Sequence, residues 1–145
     1  MAFLIDTNIL LRTMQPHHPH CAPAERAVAT LRSRNETLHV AAQNLIEFWA
    51  AATRPEGENG LGISMEAATR ELTAIKRLFS PLPEIPVLDE WERLVARYSV
   101  LGRRTHDARL VATMKLQRVT HILTFNVDDF TRYDGIVVVD PKTVS

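Results

Sequence analysis

Four short stretches of the chain hold carboxylates in company that suits chemistry better than solvation. Asp6-Thr7-Asn8 puts an acid, a hydroxyl and an amide directly after the apolar run Ala2-Phe3-Leu4-Ile5. Glu47 lies within Gln43-Asn44-Leu45-Ile46-Glu47-Phe48-Trp49, between large apolar side chains. His106-Asp107-Ala108 opens a helical pattern, and Thr124, Asn126, Asp128 and Asp129 follow the apolar residues that end at Leu123. If these groups converge, their mutual repulsion raises pKa values and costs stability unless a cation is present. Magnesium and manganese fit such a site, because they prefer oxygen donors, keep several waters and need no cysteine. The reaction expected of it is hydrolysis of a phosphate ester, one ion activating a water and a second stabilising the departing oxygen.

Each acid also has an ordinary role open to it. Asp6 could simply cap a helix that starts near Ile9, and Asp107 could cap its own helix. Glu47, on a mostly apolar helix, is expensive unless paired or bound to metal, and an arginine salt bridge would suffice.

The elements that must position these residues alternate. Ala2–Ile5, Leu38–Ala41, His121–Thr124 and Ile136–Val139 read as strands. Cys21–Arg34 and Gln43–Thr53 read as helices. Ser64 is the expected N-cap of a third helix, in which Met65, Ala68, Leu72, Ile75 and Phe79 recur every three or four residues. Asp89 with Glu92 forms a capping-box pattern before the stripe Trp91, Leu94, Val95 and Tyr98, and Asp107–Leu116 makes the last long helix. This alternation predicts an α/β fold, a parallel sheet flanked by α-helices with right-handed crossovers. In such sheets the usable cleft lies beyond the carboxyl ends of the strands, where Asp6 and Thr124 to Asp129 are expected.

At 145 residues, with neither repeats nor linker-like stretches, the chain is expected to be one domain over 1–145. Seventeen basic and 17 acidic residues cancel, so no general coat of positive charge attracts nucleic acid, and any phosphate binding must be local. No stretch approaches the roughly 20 apolar residues of a membrane span, and Met1 to Thr7 is too short and too soon acidic for a signal peptide. One cysteine, Cys21, rules out an internal disulfide. A cytoplasmic protein without membrane contact is expected.

Taken together, Asp6-Thr7-Asn8, Glu47, His106-Asp107-Ala108 and Thr124-Phe125-Asn126 with Asp129-Phe130 resemble the PIN-domain ribonucleases, specifically VapC-type toxins of type II toxin-antitoxin systems. The match runs in order over nearly the whole chain. The resemblance implies a PIN-like fold and a metal-dependent endoribonuclease, with Mg2+ or Mn2+ coordinated by Asp6, Glu47 and Asp107. Thr7, Asn8 and Thr124 would orient ligands or water. Asn126 stands where many members have Asp, so Asp129 is the expected fourth ligand, with Asn126 assisting. The resemblance further implies an RNA substrate, a homodimer, and a cognate VapB-like antitoxin that inserts a peptide into the active-site groove.

Two other functions compete. A haloacid-dehalogenase-like magnesium phosphatase would use Asp6 as nucleophile, but it usually wants a second Asp two residues on, where this chain has Asn8. A catalytically weakened PIN binding module would have little reason to keep three costly acids. Among other features, Arg12, Arg103, Arg104 and Arg109 are candidates to face phosphate. His17-His18-Pro19-His20-Cys21 packs potential ligands too tightly for a zinc site and is expected to be a loop leading into a helix, one with room to border the cleft because it leaves the Asp6 turn. Arg54 to Gly62 lacks the Lys-Ser/Thr ending of a P-loop and is expected to join two helices. Trp49, Phe79, Trp91 and Tyr98 fall on helical stripes and are expected in the core or a dimer contact.

Overall fold

A short apolar run without polar alternation suits a strand covered on both faces, and Ala2–Ile5 is used so. The computed structural model describes residues 1–145. The strands are β1 (Ala2–Ile5), β2 (Thr37–Val40), β3 (Ser80–Pro81), β4 (His121–Leu123) and β5 (Val137–Val139). They form one parallel sheet in the order β3-β2-β1-β4-β5, with Phe3 opposite Leu38 on one side and His121 on the other. The expected α/β class is therefore observed, and β1 is its central strand. Strand order reverses direction between β1 and β4, which makes their carboxyl ends the topological switch point.

Six helices flank the sheet: α1 (Thr7–Arg12), α2 (Cys21–Ser33), α3 (Ala42–Thr53), α4 (Met65–Leu78), α5 (Leu88–Tyr98) and α6 (Arg104–Leu116). Two cores result. Phe3, Ile5, Leu38 and Val40 pack with residues of α1 to α4, including Ile9, Leu31, Phe48 and Ile75. Leu4 and Ile122, which point the other way, pack with Leu94 of α5 and Leu110, Val111 and Met114 of α6. Trp91 and Tyr98 are partly buried against this second core and Phe79 is buried in the first, as their stripes predict, while Met65 at the start of α4 is exposed. No helix is long and apolar enough to cross a membrane.

Several boundaries differ from those read in the sequence. The two-residue edge strand β3 is unexpected; a serine and a proline carry no strand pattern, and proline is tolerated there because an edge needs fewer donors. Asp89 is not a cap: α5 starts at Leu88 after Val87, without a side-chain cap, and Asp89 instead favours the positive end of the helix from inside its first turn. Asp107 likewise does not start its helix, since α6 begins three residues earlier at Arg104. Arg54 to Gly62 joins α3 to α4 through a single 3-10 turn, Glu56–Glu58.

Ser64 does cap α4, its hydroxyl accepting from the Ala67 amide at 3.1 Å. Ser64→Ala is expected to lower the unfolding free energy by about 1 kcal/mol. Chemical denaturation reads this directly, and an unmoved midpoint would deny the cap any weight.

Candidate active site

Asp6 is the last residue before α1 and caps it, so the capping reading of the sequence holds as far as it goes: one carboxylate oxygen accepts from the Thr7 amide at 2.8 Å. Its other oxygen accepts from the Thr124 hydroxyl at 2.7 Å and the Asn8 amide at 3.3 Å. Asn8 also donates to Thr124 Oγ1 at 3.1 Å and accepts from the Phe125 amide at 3.3 Å. The ends of β1 and β4 are thus laced together across the switch point. Capping alone does not require this second set of bonds, nor a carboxylate that is 7% exposed.

Glu47 is half-buried on α3, its two oxygens held separately. Oε2 accepts from the Thr7 hydroxyl at 3.1 Å, and Oε1 accepts from the Gln43 amide at 2.9 Å. No arginine pairs with it; the ion pairs of the structure involve other acids. Asn44, wholly buried beside it, donates to Thr7 Oγ1 at 3.3 Å and accepts from the Ala41 amide at 2.9 Å.

Asp107 and Asp129 meet through Arg104, whose guanidinium lies 2.6 Å from Asp129 and 3.5 Å from Asp107. Asp129 stands on the 3-10 turn Val127–Asp129. Asn126 is exposed and reaches the network by its backbone, donating to Thr124 Oγ1 at 3.0 Å. Arg103, Arg104, Asp107, Asn126, Asp129 and Asp140 line an open polar cleft of about 640 Å³.

The electrostatics tie the acids together. Burial, reinforced by Glu47 and Asp107, pushes Asp6 up to about 6 against the pull of the Thr124 and Thr7 hydrogen bonds. Burial also raises Asp107, with Asp129 and Glu47 adding to it and Arg104 opposing. Asp107 therefore links both halves, feeling Glu47 on one side and Asp129 on the other. No three His, Cys, Asp or Glu side chains are gathered tightly enough to chelate an ion as they stand. The fit to a hard cation is one of donor chemistry and charge: Asp6, Glu47, Asp107 and Asp129 offer carboxylate oxygens, Arg104 now stands as the cation between two of them, and the buried carboxylate is one that a nearby positive charge would restore to its ionised form.

Other candidates are placed elsewhere. Arg12 bonds Gln15, and Arg109 is engaged by Gln43 and Glu84, so of the four arginines Arg103 and Arg104 reach the cleft. His17 to His20 form a loop leading into α2, whose first residue is Cys21. From it His20 stacks at 4.2 Å on the ring of Phe125, which lines the cleft. Asp140 escapes the motif reading of the sequence, although it directly follows an apolar strand as Asp6 does. Gln43 and Asn44 escape it too as holders of the site, for which no local pattern exists.

Fold and cleft together define a doubly wound α/β protein with an acidic centre at its switch point. The chain belongs to the PIN domain family, whose model matches residues 3–136. Its backbone is similar to a VapBC2 complex from Rickettsia felis solved on a fragment of its promoter DNA, with TM-score 0.71 and 13% identity over 97% of this chain and 98% of that one. It is similar to VapBC-1 of nontypeable Haemophilus influenzae, with TM-score 0.67 and 17% identity over 97% and 98%. It is also similar to the Mycobacterium tuberculosis toxin VapC20, described as cleaving the sarcin-ricin loop, with TM-score 0.59 and 18% identity over 88% and 92%. At these identities the likeness is one of fold. No curated protein matches the sequence at a significant level.

Proposed function

We propose that this protein is a divalent-metal-dependent endoribonuclease and the toxin of a toxin-antitoxin pair, its PIN domain taking in the whole of 1–145. The observation that carries this reading is the shared field of Asp6, Glu47 and Asp107 around a buried carboxylate, in a member of the PIN family. Asp6, Glu47, Asp107 and Asp129 would hold Mg2+ or Mn2+, with Thr7, Asn8 and Thr124 orienting them and Asn126 assisting from the rim. When bound, such an ion supplies an activated water and charge stabilisation to a phosphodiester.

The chain's own residues do the rest. Thr124 and the Thr7 amide aim the Asp6 carboxylate; Thr7 and Gln43 fix Glu47. Asp107 presents its carboxylate to the cleft, Arg104 links it to Asp129, and Arg103 at the margin offers forked donors to the RNA backbone. Solved relatives of this fold are toxin-antitoxin complexes, which supports a VapB-like antitoxin as partner. Exposed Ile46 on α3, and Leu88 beside an apolar groove formed with Ile85, Val87 and Trp91, suit contacts with an antitoxin segment or a second copy.

The test is cleavage of single-stranded RNA with manganese, wild type against Asp107→Asn. The variant is expected to lose about tenfold or more, since even indirect partners of a metal site cost that much, and the products should carry a 5′-phosphate. Equal cleavage by the two proteins would sink the reading; a 5′-hydroxyl end would point to attack by the ribose 2′-OH instead.

A further inference from the structure

Gln43 is 8% exposed and sits one turn before Glu47 on α3. Its amide nitrogen has two hydrogens, one used within α3 and the other across to α6. One goes to Glu47 Oε1 at 2.9 Å, the other to the main-chain carbonyl of His106 at 2.8 Å. That carbonyl belongs to the residue next to Asp107, in the first turn of α6. The amide oxygen accepts from Arg109 at 3.2 Å, and the other guanidinium nitrogen of Arg109 lies 3.1 Å from Glu84. Both donors of this buried side chain are therefore used, and its oxygen accepts one charge-assisted bond.

The amide also has one permissible orientation. Arginine can only donate, while an ionised carboxylate and a carbonyl can only accept. A flipped amide would point its oxygen at Glu47 and at the His106 carbonyl and its nitrogen at Arg109, turning three attractive contacts into three repulsive ones. Arg109, steadied by Glu84, thus sets Gln43, and Gln43 sets Glu47. Glutamate would not substitute: it would keep Arg109 but face Glu47 with a second negative charge.

We propose that Gln43 is a positioning residue, which fixes the Glu47 carboxylate against the α6 backbone that carries Asp107, with Arg109 fixing the amide in turn. The proposal deepens the metal-dependent reading of the same site. Its consequence is that the spacing of Glu47 and Asp107 is set by a side-chain clamp between α3 and α6 and not by the sheet alone.

The probe is Gln43→Met, which keeps the length and removes both donors. Its crystal structure is expected to show Glu47 Oε1 displaced. Its Mn2+ affinity, from calorimetric titration of the wild-type and variant full chains, should fall about tenfold to a hundredfold, as for outer partners of metal ligands. On RNA the loss is expected in kcat, with KM little changed. Glu47 unmoved in the variant crystal would overturn the proposal whatever the wild type binds or cuts, and so would Mn2+ affinity within twofold of wild type. Should Gln43→Met not fold, Arg109→Ala at a side chain 41% exposed reads the same chain of contacts, and unchanged Glu47 position and Mn2+ affinity there would be equally fatal. A wild type that binds manganese and leaves RNA intact would instead remove the ribonuclease reading, with the clamp still judged by affinity and geometry.

Discussion

Asp6→Asn is expected to cut manganese-dependent RNA cleavage by at least about a hundredfold, the upper range seen when even an indirect supporter of a metal site is lost. Asp6 sits deepest of the acids and is the one on which Thr124, Asn8 and the Thr7 amide all converge. Asparagine preserves size and can still accept from Thr7, so the fold should survive while the charge is gone. The companion measurement is the melting temperature with and without manganese: the ion should raise it in the wild type and leave the variant unmoved. A variant that still gains stability from manganese would show that the ion is held without Asp6.

The second large effect concerns pH in the absence of any ion. The Asp6 carboxyl titrates near 6 in the folded protein against an ordinary value of 3.8. The unfolded chain therefore gives up this proton first, and between those pH values the folded state binds more protons. Stability from Asp6 is consequently fullest below about pH 4 and is lost as pH rises through 6, a cost of about 3 kcal/mol at neutrality. Other acids titrate over the same range, so the clean quantity is the difference in unfolding free energy between wild type and Asp6→Asn. In metal chelator this difference should move by about 3 kcal/mol against the wild type between pH 4 and pH 7. Manganese should reverse the trend, because it favours the ionised form. A difference that stays flat with pH would mean that burial does not strain this carboxylate.

How much of the fold and the site is legible in the sequence depends on how local each signal is. Ala2–Ile5 announces a covered strand and delivers Asp6 to the sheet's carboxyl edge, so the first acid follows from a local pattern, while the class follows from the alternation of such strands with helices. Ser64 and its stripe likewise specify α4 through contacts inside one helix. Asp107 is legible as an acid near a helix start, yet the start itself is not, because Arg103 before α6 offers no side-chain cap to mark it. β3 is invisible for a different reason: two residues, one a proline, take their strand geometry entirely from His39 and Val40 beside them. Gln43 illustrates the harder limit. Its partners Glu47, His106 and Arg109 include two that are 63 and 66 residues away, and a glutamine on an apolar helix gives no hint of them. The place of Asp140 at the cleft needs only the strand-end rule that finds Asp6, applied once more to Val137–Val139.

The placement of β1 at the middle of the sheet has a consequence for when activity can arise. The Thr124 hydroxyl that grips Asp6 lies 118 residues further along the chain, and β1 cannot gain its second neighbour until His121–Leu123 exists. Pairings of such long separation form late, because the intervening loop must be closed before they give anything back. Until β4 exists, β1 has only β2 beside it and Asp6 lacks the Thr124 hydroxyl. A chain not yet extended through β4 therefore has no switch point and no assembled acidic centre.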